Sequence, residues 1–314
     1  MVKSIFLFPG QGAQYPGMGL DLIKQDAAKK VFDCASGITG RDIIPLIDSD
    51  AETLKRTDVA QVAISAVSLG ALAYLAELGI TPCACAGFSL GEYPAFVCAR
   101  VIGLEDCFRL MDARGRAMQK AADKLAASGG EEKAGMAAVL GLPAEKVEHC
   151  LAEWKIPDLY AANINAPAQV VVSGSAGALA RAETCFKEAG ARRFIRLQVA
   201  GPFHSPLMKE AADECAALLQ EVRCADPAIA LFSNVSGKQL ASGAEAKALA
   251  LRQIVEGVRW TDEERAMETL GADAVVEVGP GRVLQGLWSD AGSAVPAYGA
   301  GTLAEIDQLK GILI

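Results

Sequence analysis

Short apolar runs alternate along the chain with longer stretches of helical character. The runs Ser4–Phe8, Pro82–Gly87, Ile229–Val235 and Ala274–Val278 are each closed by Gly, Asn or Pro, as buried strands are. This alternation predicts an α/β fold with a mostly parallel sheet, whose functional groups lie just beyond the carboxyl ends of the strands.

Between Met136 and Gln198 the order changes. Strand (Met136–Leu140), helix (Ala144–Glu153), strand (Tyr160–Asn163), strand (Gln169–Ser173), helix (Ala176–Ala189) and strand (Arg193–Gln198) follow one another. This is the βαββαβ order of a ferredoxin-like module, set as an insertion in the larger α/β pattern. A charged, glycine-rich connector, Ala126–Gly135, marks the boundary. The predicted division is a large domain of residues 1–134 and 200–314 and a small domain of residues 135–199, with a cleft between them. Residues 59–76 carry no charge, but Gln61, Ser65, Ser68 and Gly70 leave the segment only mildly apolar. It is expected to be a buried core helix, not a membrane span. The apolar run at the N-terminus is broken by Pro9 and Gly10, too early for a signal peptide.

Composition narrows the function. At 314 residues, with 52% apolar and 22% charged residues, the chain is neither disordered nor low in complexity. A net charge of −8 argues against a nucleic-acid role, which needs a basic face. The nine cysteines are an odd, scattered set without a CxxC pair, which fits reduced thiols in the cytoplasm, read as small core residues. No metal-ligand cluster is visible.

The chemistry concentrates in Gly87-Phe88-Ser89-Leu90-Gly91, the one G-x-S-x-G of the chain, between an apolar run and a helical stretch. A strand-to-helix turn this sharp leaves no room for side chains beside the serine and lifts its hydroxyl above the sheet. A serine needs a base, and the chain has two histidines. His149 lies in a charged helical stretch, as a solvated surface histidine does. His204, braced by Pro202 and Pro206 after the strand Arg193–Gln198, is the better candidate. Attack on an ester or thioester creates an oxyanion that backbone N–H groups must hold. Leu90 can supply one, and the loop Phe8-Pro9-Gly10-Gln11-Gly12-Ala13-Gln14 a second. That loop begins like a dinucleotide fingerprint, but Tyr15 stands where its third glycine belongs.

Taken together with Glu92-Tyr93, Arg114-Gly115, Phe203-His204 and Ser233-Asn234-Val235, these motifs resemble, in order and over nearly the whole chain, the malonyl-CoA:acyl carrier protein transacylases of fatty acid synthesis. The resemblance implies an α/β-hydrolase-like domain carrying a ferredoxin-like insertion, in agreement with the organisation above. It also implies that Ser89 is the nucleophile and His204 the general base, oriented by the backbone carbonyl of Gln253, with oxyanion amides from Gln11 and Leu90. No cofactor is implied: malonyl-CoA is the substrate, coenzyme A the released product, and acyl carrier protein the transient partner of a monomeric enzyme.

Malonyl carries a carboxylate that acetyl lacks, and a guanidinium binds a carboxylate bidentately. By resemblance Arg114 would set this preference, although residues alone would make it a surface arginine on a helix Leu104–Ala122. Phe203 resembles malonyl-type members, in which its bulk excludes a 2-methyl branch. Phe88 departs from the family, where His is common beside the nucleophile, and so leaves fine acyl preference open. Carriers of this family are acidic, so docking needs a local basic surface. Lys187, Arg192, Arg193 and Arg196 form the densest cluster, either a docking patch or ordinary solvated charge. A serine esterase or thioesterase would use the same serine turn without needing Arg114, and a non-catalytic binding module would need neither the turn nor the histidine. Polyketide synthesis and a malonate-using decarboxylase complex are further settings for the same transfer.

Overall fold

In a computed structural model describing residues 2–128 and 133–314, the chain builds two sheets. The first contains β1 (Ser4–Phe8), β2 (Ala84–Gly87), β7 (Ala230–Ser233), β8 (Lys238–Gln239), β9 (Ala274–Glu277) and β10 (Ala297–Gly299), and the second β3 (Gly135–Leu140), β4 (Leu159–Ala166), β5 (Gln169–Gly174) and β6 (Arg193–Arg196). The order in the first sheet is β10-β9-β1-β2-β7-β8, parallel except for the antiparallel edge β8. Central β1 is buried along its whole length, as expected of a strand covered on both faces.

The uncharged segment is the core of the helix Thr57–Glu77, which packs between the helices Asp26–Thr39 and Leu104–Ser128. Among the described residues it is the one helix long and apolar enough to cross a membrane, and 83% of that window is buried inside the protein. Two glycines set its packing distance. A Cβ on Gly70 would sit 3.0 Å from the Phe32 ring, and one on Gly115 would sit 3.0 Å from the Asp58 backbone. The second contact draws Arg114, the neighbour of Gly115, into the helix interface.

The second sheet is antiparallel throughout, in the order β4-β5-β3-β6. Its side chains alternate with the strand period of two. Ala137 and Val139 face a core shared with Val147, Leu179 and Phe186 from the helices Ala144–Trp154 and Ala176–Glu188. Met136 and Ala138 face the other way, onto Met118, Phe203 and Met208. That face brings the second sheet against the loop carrying His204.

Three expectations need correction. The connector is shorter than the sequence implied, because Ala126–Ser128 continue the preceding helix and Gly135 begins β3, while its residues 129–132 lie outside the described residues. The helix from Leu104 therefore runs to Ser128, not Ala122. Only Cys85, Cys107 and Cys150 are buried, and the other six cysteines are half-buried at the margins of the cores. All nine are free thiols.

Phe32 is fully buried against Gly70 where two core helices meet. Phe32→Ala is expected to lower the unfolding free energy by about 3–5 kcal/mol in chemical denaturation, since the rigid helix pair cannot collapse into the cavity. A loss below about 1 kcal/mol would contradict this packing account.

Candidate active site

The turn after β2 is fixed by close backbone contacts. A Cβ on Gly87 would lie 1.9 Å from the carbonyl oxygen of Gly91, and one on Gly91 would lie 2.1 Å from that of Phe8. The chain turns through Ser89–Gly91 directly into the helix Glu92–Cys98, with Ser89 in the left-handed region at φ 52°. A non-glycine residue there is strained by about 1–3 kcal/mol and must be held by its surroundings. Here the Ser89 N–H donates to Asn234 Oδ1 at 2.7 Å, and Asn234 Nδ2 donates back to the Gly87 carbonyl at 2.7 Å. One side chain thus clamps both arms of the turn.

His204 also has a positive φ, 55°, in the loop between β6 and the helix Lys209–Glu221. Ser173 from β5 holds this loop by donating to the Phe203 carbonyl, and Ser205 donates to that of Pro202. His204 Nε2 lies 2.8 Å from Ser89 Oγ. Its Nδ1 lies 2.9 Å from the Gln253 carbonyl and 3.2 Å from that of Glu256. Carbonyls can only accept, so Nδ1 carries the proton and Nε2 turns its lone pair toward the serine hydroxyl. Burial, reinforced by the nearby Arg114 charge, lowers the His204 pKa to about 4.

Arg114 is almost wholly buried, not a surface residue. Nη1 donates to Gln61 Oε1 and Nη2 to Gln253 Oε1, both at 2.8 Å, and Nη2 is 3.5 Å from Ser89 Oγ. The guanidinium lies over the Tyr93 ring, 5.6 Å from its centroid. Among the described residues no carboxylate lies within ion-pair distance of Arg114, and its Nε has no hydrogen-bond partner. A buried cation held by neutral amides is prepared for an anionic group brought by a ligand.

Ser89, His204 and Arg114 open onto one cleft of about 240 Å³, which Gln11, Leu90, Phe88 and Phe203 also line. Phe88 packs edge-on against Trp260, with ring centroids 5.4 Å apart. His149 is absent from the site; it is exposed and lies 3.8 Å from Glu153. Among the described residues no group of three His, Cys, Asp or Glu side chains is arranged to hold a metal.

The sequence had not marked Gln61, Asn234 or Glu92 as parts of this arrangement. Gln61 carried a signal, being a polar side chain inside an otherwise apolar buried helix. Asn234 and Glu92 stood within quoted motifs, but their contacts join residues far apart in the chain. Chemically, the site can activate a hydroxyl, hold an acyl group beside it and retain a carboxylate.

The chain matches the model of the acyl transferase domain over residues 5–303. It is 38% identical over 293 residues to a malonyl CoA-acyl carrier protein transacylase of Bacillus subtilis, covering 91% of this chain and 90% of that one. The chain belongs to the acyl transferase family, among the malonyl CoA-acyl carrier protein transacylases. Its fold is shared with an acyl carrier protein S-malonyltransferase of Vibrio cholerae, at a TM-score of 0.91 and 35% identity over 98% of this chain and 99% of that one. A malonyl-transacylase solved in complex with its type II polyketide acyl-carrier protein matches at a TM-score of 0.89 and 33% identity, over 98% of each chain. As a family member the protein is an acyltransferase.

With a folded pKa near 4, the His204 ring should stay neutral, protonated on Nδ1, from pH 8 down to about pH 5. Nitrogen-15 NMR of the ring checks this: a titration centred near 6.5, the value of a free imidazole, would contradict the burial described. The linked stability is full above about pH 6.5 and is lost as the pH falls toward 4, because the unfolded chain takes up the proton first.

Proposed function

We propose that this protein transfers the malonyl group of malonyl-CoA to the pantetheine thiol of acyl carrier protein through a malonyl ester on Ser89. The carrying observation is the 2.8 Å contact between Ser89 Oγ and His204 Nε2 in a cleft that also presents Arg114, which has no carboxylate partner among the described residues. Family membership and the names of the relatives support the same substrates.

In the first half-reaction the Ser89 oxygen attacks the thioester carbonyl while His204 Nε2 takes the hydroxyl proton. The oxyanion that forms is held by the backbone N–H groups of Gln11 and Leu90. As the carbon–sulfur bond breaks, His204 returns the proton and coenzyme A leaves as the thiol. The carrier's thiol then attacks the ester, giving its proton to His204, which passes it back to Ser89. No metal or redox cofactor takes part. Throughout, Arg114 binds the free carboxylate of the malonyl group, and Phe203 leaves no space for a 2-methyl branch. The carbonyls of Gln253 and Glu256 keep the histidine turned toward the serine, the work an acidic side chain does in a Ser-His-Asp triad.

The same reading divides the chain into an α/β-hydrolase-like domain, residues 1–134 and 200–314, and a ferredoxin-like domain, residues 135–199. The strand order β4-β5-β3-β6 supports the second assignment. The enzyme would act as a cytoplasmic monomer that meets its carrier transiently. The docking surface in this reading is β6, which carries Arg193 and Arg196, together with Arg192 before it. Residues 197–199, directly after β6, line the cleft. Arg192 and Arg193 are exposed and have no ion-pair partner among the described residues, whereas Lys187 is paired with Glu183 at 2.6 Å.

Three outcomes are expected. Intact-mass analysis after incubation with malonyl-CoA should find one added malonyl group, mapped to Ser89 and lost in Ser89→Ala; an adduct that persists in that variant would refute the assignment. Arg114→Ala should reduce malonyl transfer by roughly 10²–10³-fold, the cost of leaving a buried charge unpaired, and acetyl transfer by less than about tenfold. Equal losses would remove the carboxylate-binding role. Separately, transfer to the carrier should weaken with added salt and with Arg192→Glu, and salt-independent transfer would exclude the β6 surface.

A further inference from the structure

Gln253 is the junction of the site. Its backbone carbonyl accepts from His204, its side-chain oxygen accepts from Arg114, and its Nε2 donates to the Ser89 carbonyl at 2.8 Å. The side-chain contacts require one orientation of the amide. Reversed, it would set an NH₂ group against the guanidinium and an oxygen against the Ser89 carbonyl, like facing like in both places.

One residue unused by the reaction steps holds that orientation. Glu92, the first residue of the helix after the serine turn, is almost wholly buried. Oε2 accepts from Gln253 Nε2, and Oε1 accepts from the Asn234 N–H at 2.9 Å. Asn234 is the same residue that clamps the Ser89 turn. One carboxylate therefore ends two chains of contacts: through Asn234 to the serine, and through Gln253 to Arg114. Burial raises its pKa to about 7, against the opposing pull of the Asn234 and Gln253 hydrogen bonds and the Arg114 charge. Above that pH the ionised group accepts at both oxygens, as the two donors facing it require and as an amide cannot.

We propose that Glu92 is a positioning residue that locks the Gln253 amide, and through it holds Arg114 in place for the substrate's carboxylate. This rests on the malonyl-transfer reading, in which Arg114 binds that carboxylate. Glu92 then governs the choice between malonyl and acetyl more than the rate of acyl transfer itself: its link to Arg114 runs through the Gln253 amide alone, whereas the serine turn is also fixed by its glycines and His204 by the backbone carbonyls of Gln253 and Glu256.

The test is Glu92→Gln, which keeps the shape but must turn an NH₂ toward one of the two donors. Acylation of Ser89 is measured with malonyl-CoA and with acetyl-CoA, in the wild type, Glu92→Gln, Arg114→Ala and the double variant. The expected result is a fall of about tenfold or more in the malonyl-to-acetyl ratio of kcat/KM in Glu92→Gln, with little further change in the Arg114→Ala background. If Glu92→Gln does not fold, Glu92→Asp, whose carboxylate is drawn back by one methylene, should lower the same ratio. Equal losses for both substrates, or an unchanged ratio, would overturn the proposal while wild-type malonylation and the Arg114→Ala loss leave the functional reading intact. Absence of wild-type malonylation would instead remove that reading.

Discussion

The hydrogen bond between Ser89 and His204 joins residues 115 positions apart, and both have left-handed backbones. Each strained residue costs about 1–3 kcal/mol, so the pairing exists only because the surrounding fold over-determines it. On the serine side the restraint is steric and polar together: glycines at 87 and 91 where no Cβ fits, and Asn234 fastened across the turn. On the histidine side the second sheet supplies it, through Ser173 and the face of β3 packed near Phe203. The first sheet thus positions the serine and the second braces the loop of the histidine, so the pair depends on both.

The arrangement of charge gives this pair its direction. A serine activated by a neutral histidine is equally suited to hydrolysis, and nothing in the dyad itself selects a thiol over water. What an esterase would not need is a buried guanidinium, 3.5 Å from the serine oxygen, held by two amide oxygens and, among the described residues, by no carboxylate. Neutral partners orient Arg114 without cancelling its charge, whereas a carboxylate in the place of Gln61 would satisfy it permanently. Burying an incompletely paired cation is costly, and binding an anionic acyl group relieves that cost.

Much of the framework was readable because its signals are local. The central strands β1, β2, β7 and β9 are apolar runs with abrupt ends, and the serine turn announces itself by glycines whose steric need the structure bears out. The edge strands β8 and β10, of two and three residues, were too short to leave a pattern. Helix Leu104–Ser128 outran its expected end because the chain stays helical into the segment read as connector. Arg114 read as a surface residue by charge alone; its burial depends on Gly115 meeting the Asp58 backbone, a contact visible only in three dimensions. Gln253 was drawn from resemblance, not from its own surroundings. The roles of Gln61, Asn234 and Glu92 were hidden for the same reason, since their partners lie on other elements.

In a transferase the acyl group on Ser89 is destined for a thiol. Malonyl-protein made with labelled malonyl-CoA, freed of coenzyme A and mixed in a single turnover with pantetheine-bearing acyl carrier protein, measures this directly. The label should move to the carrier thiol faster than it appears as free malonate. Release of the label chiefly as malonate, at a rate indifferent to the carrier, would make the protein a hydrolase and contradict the account.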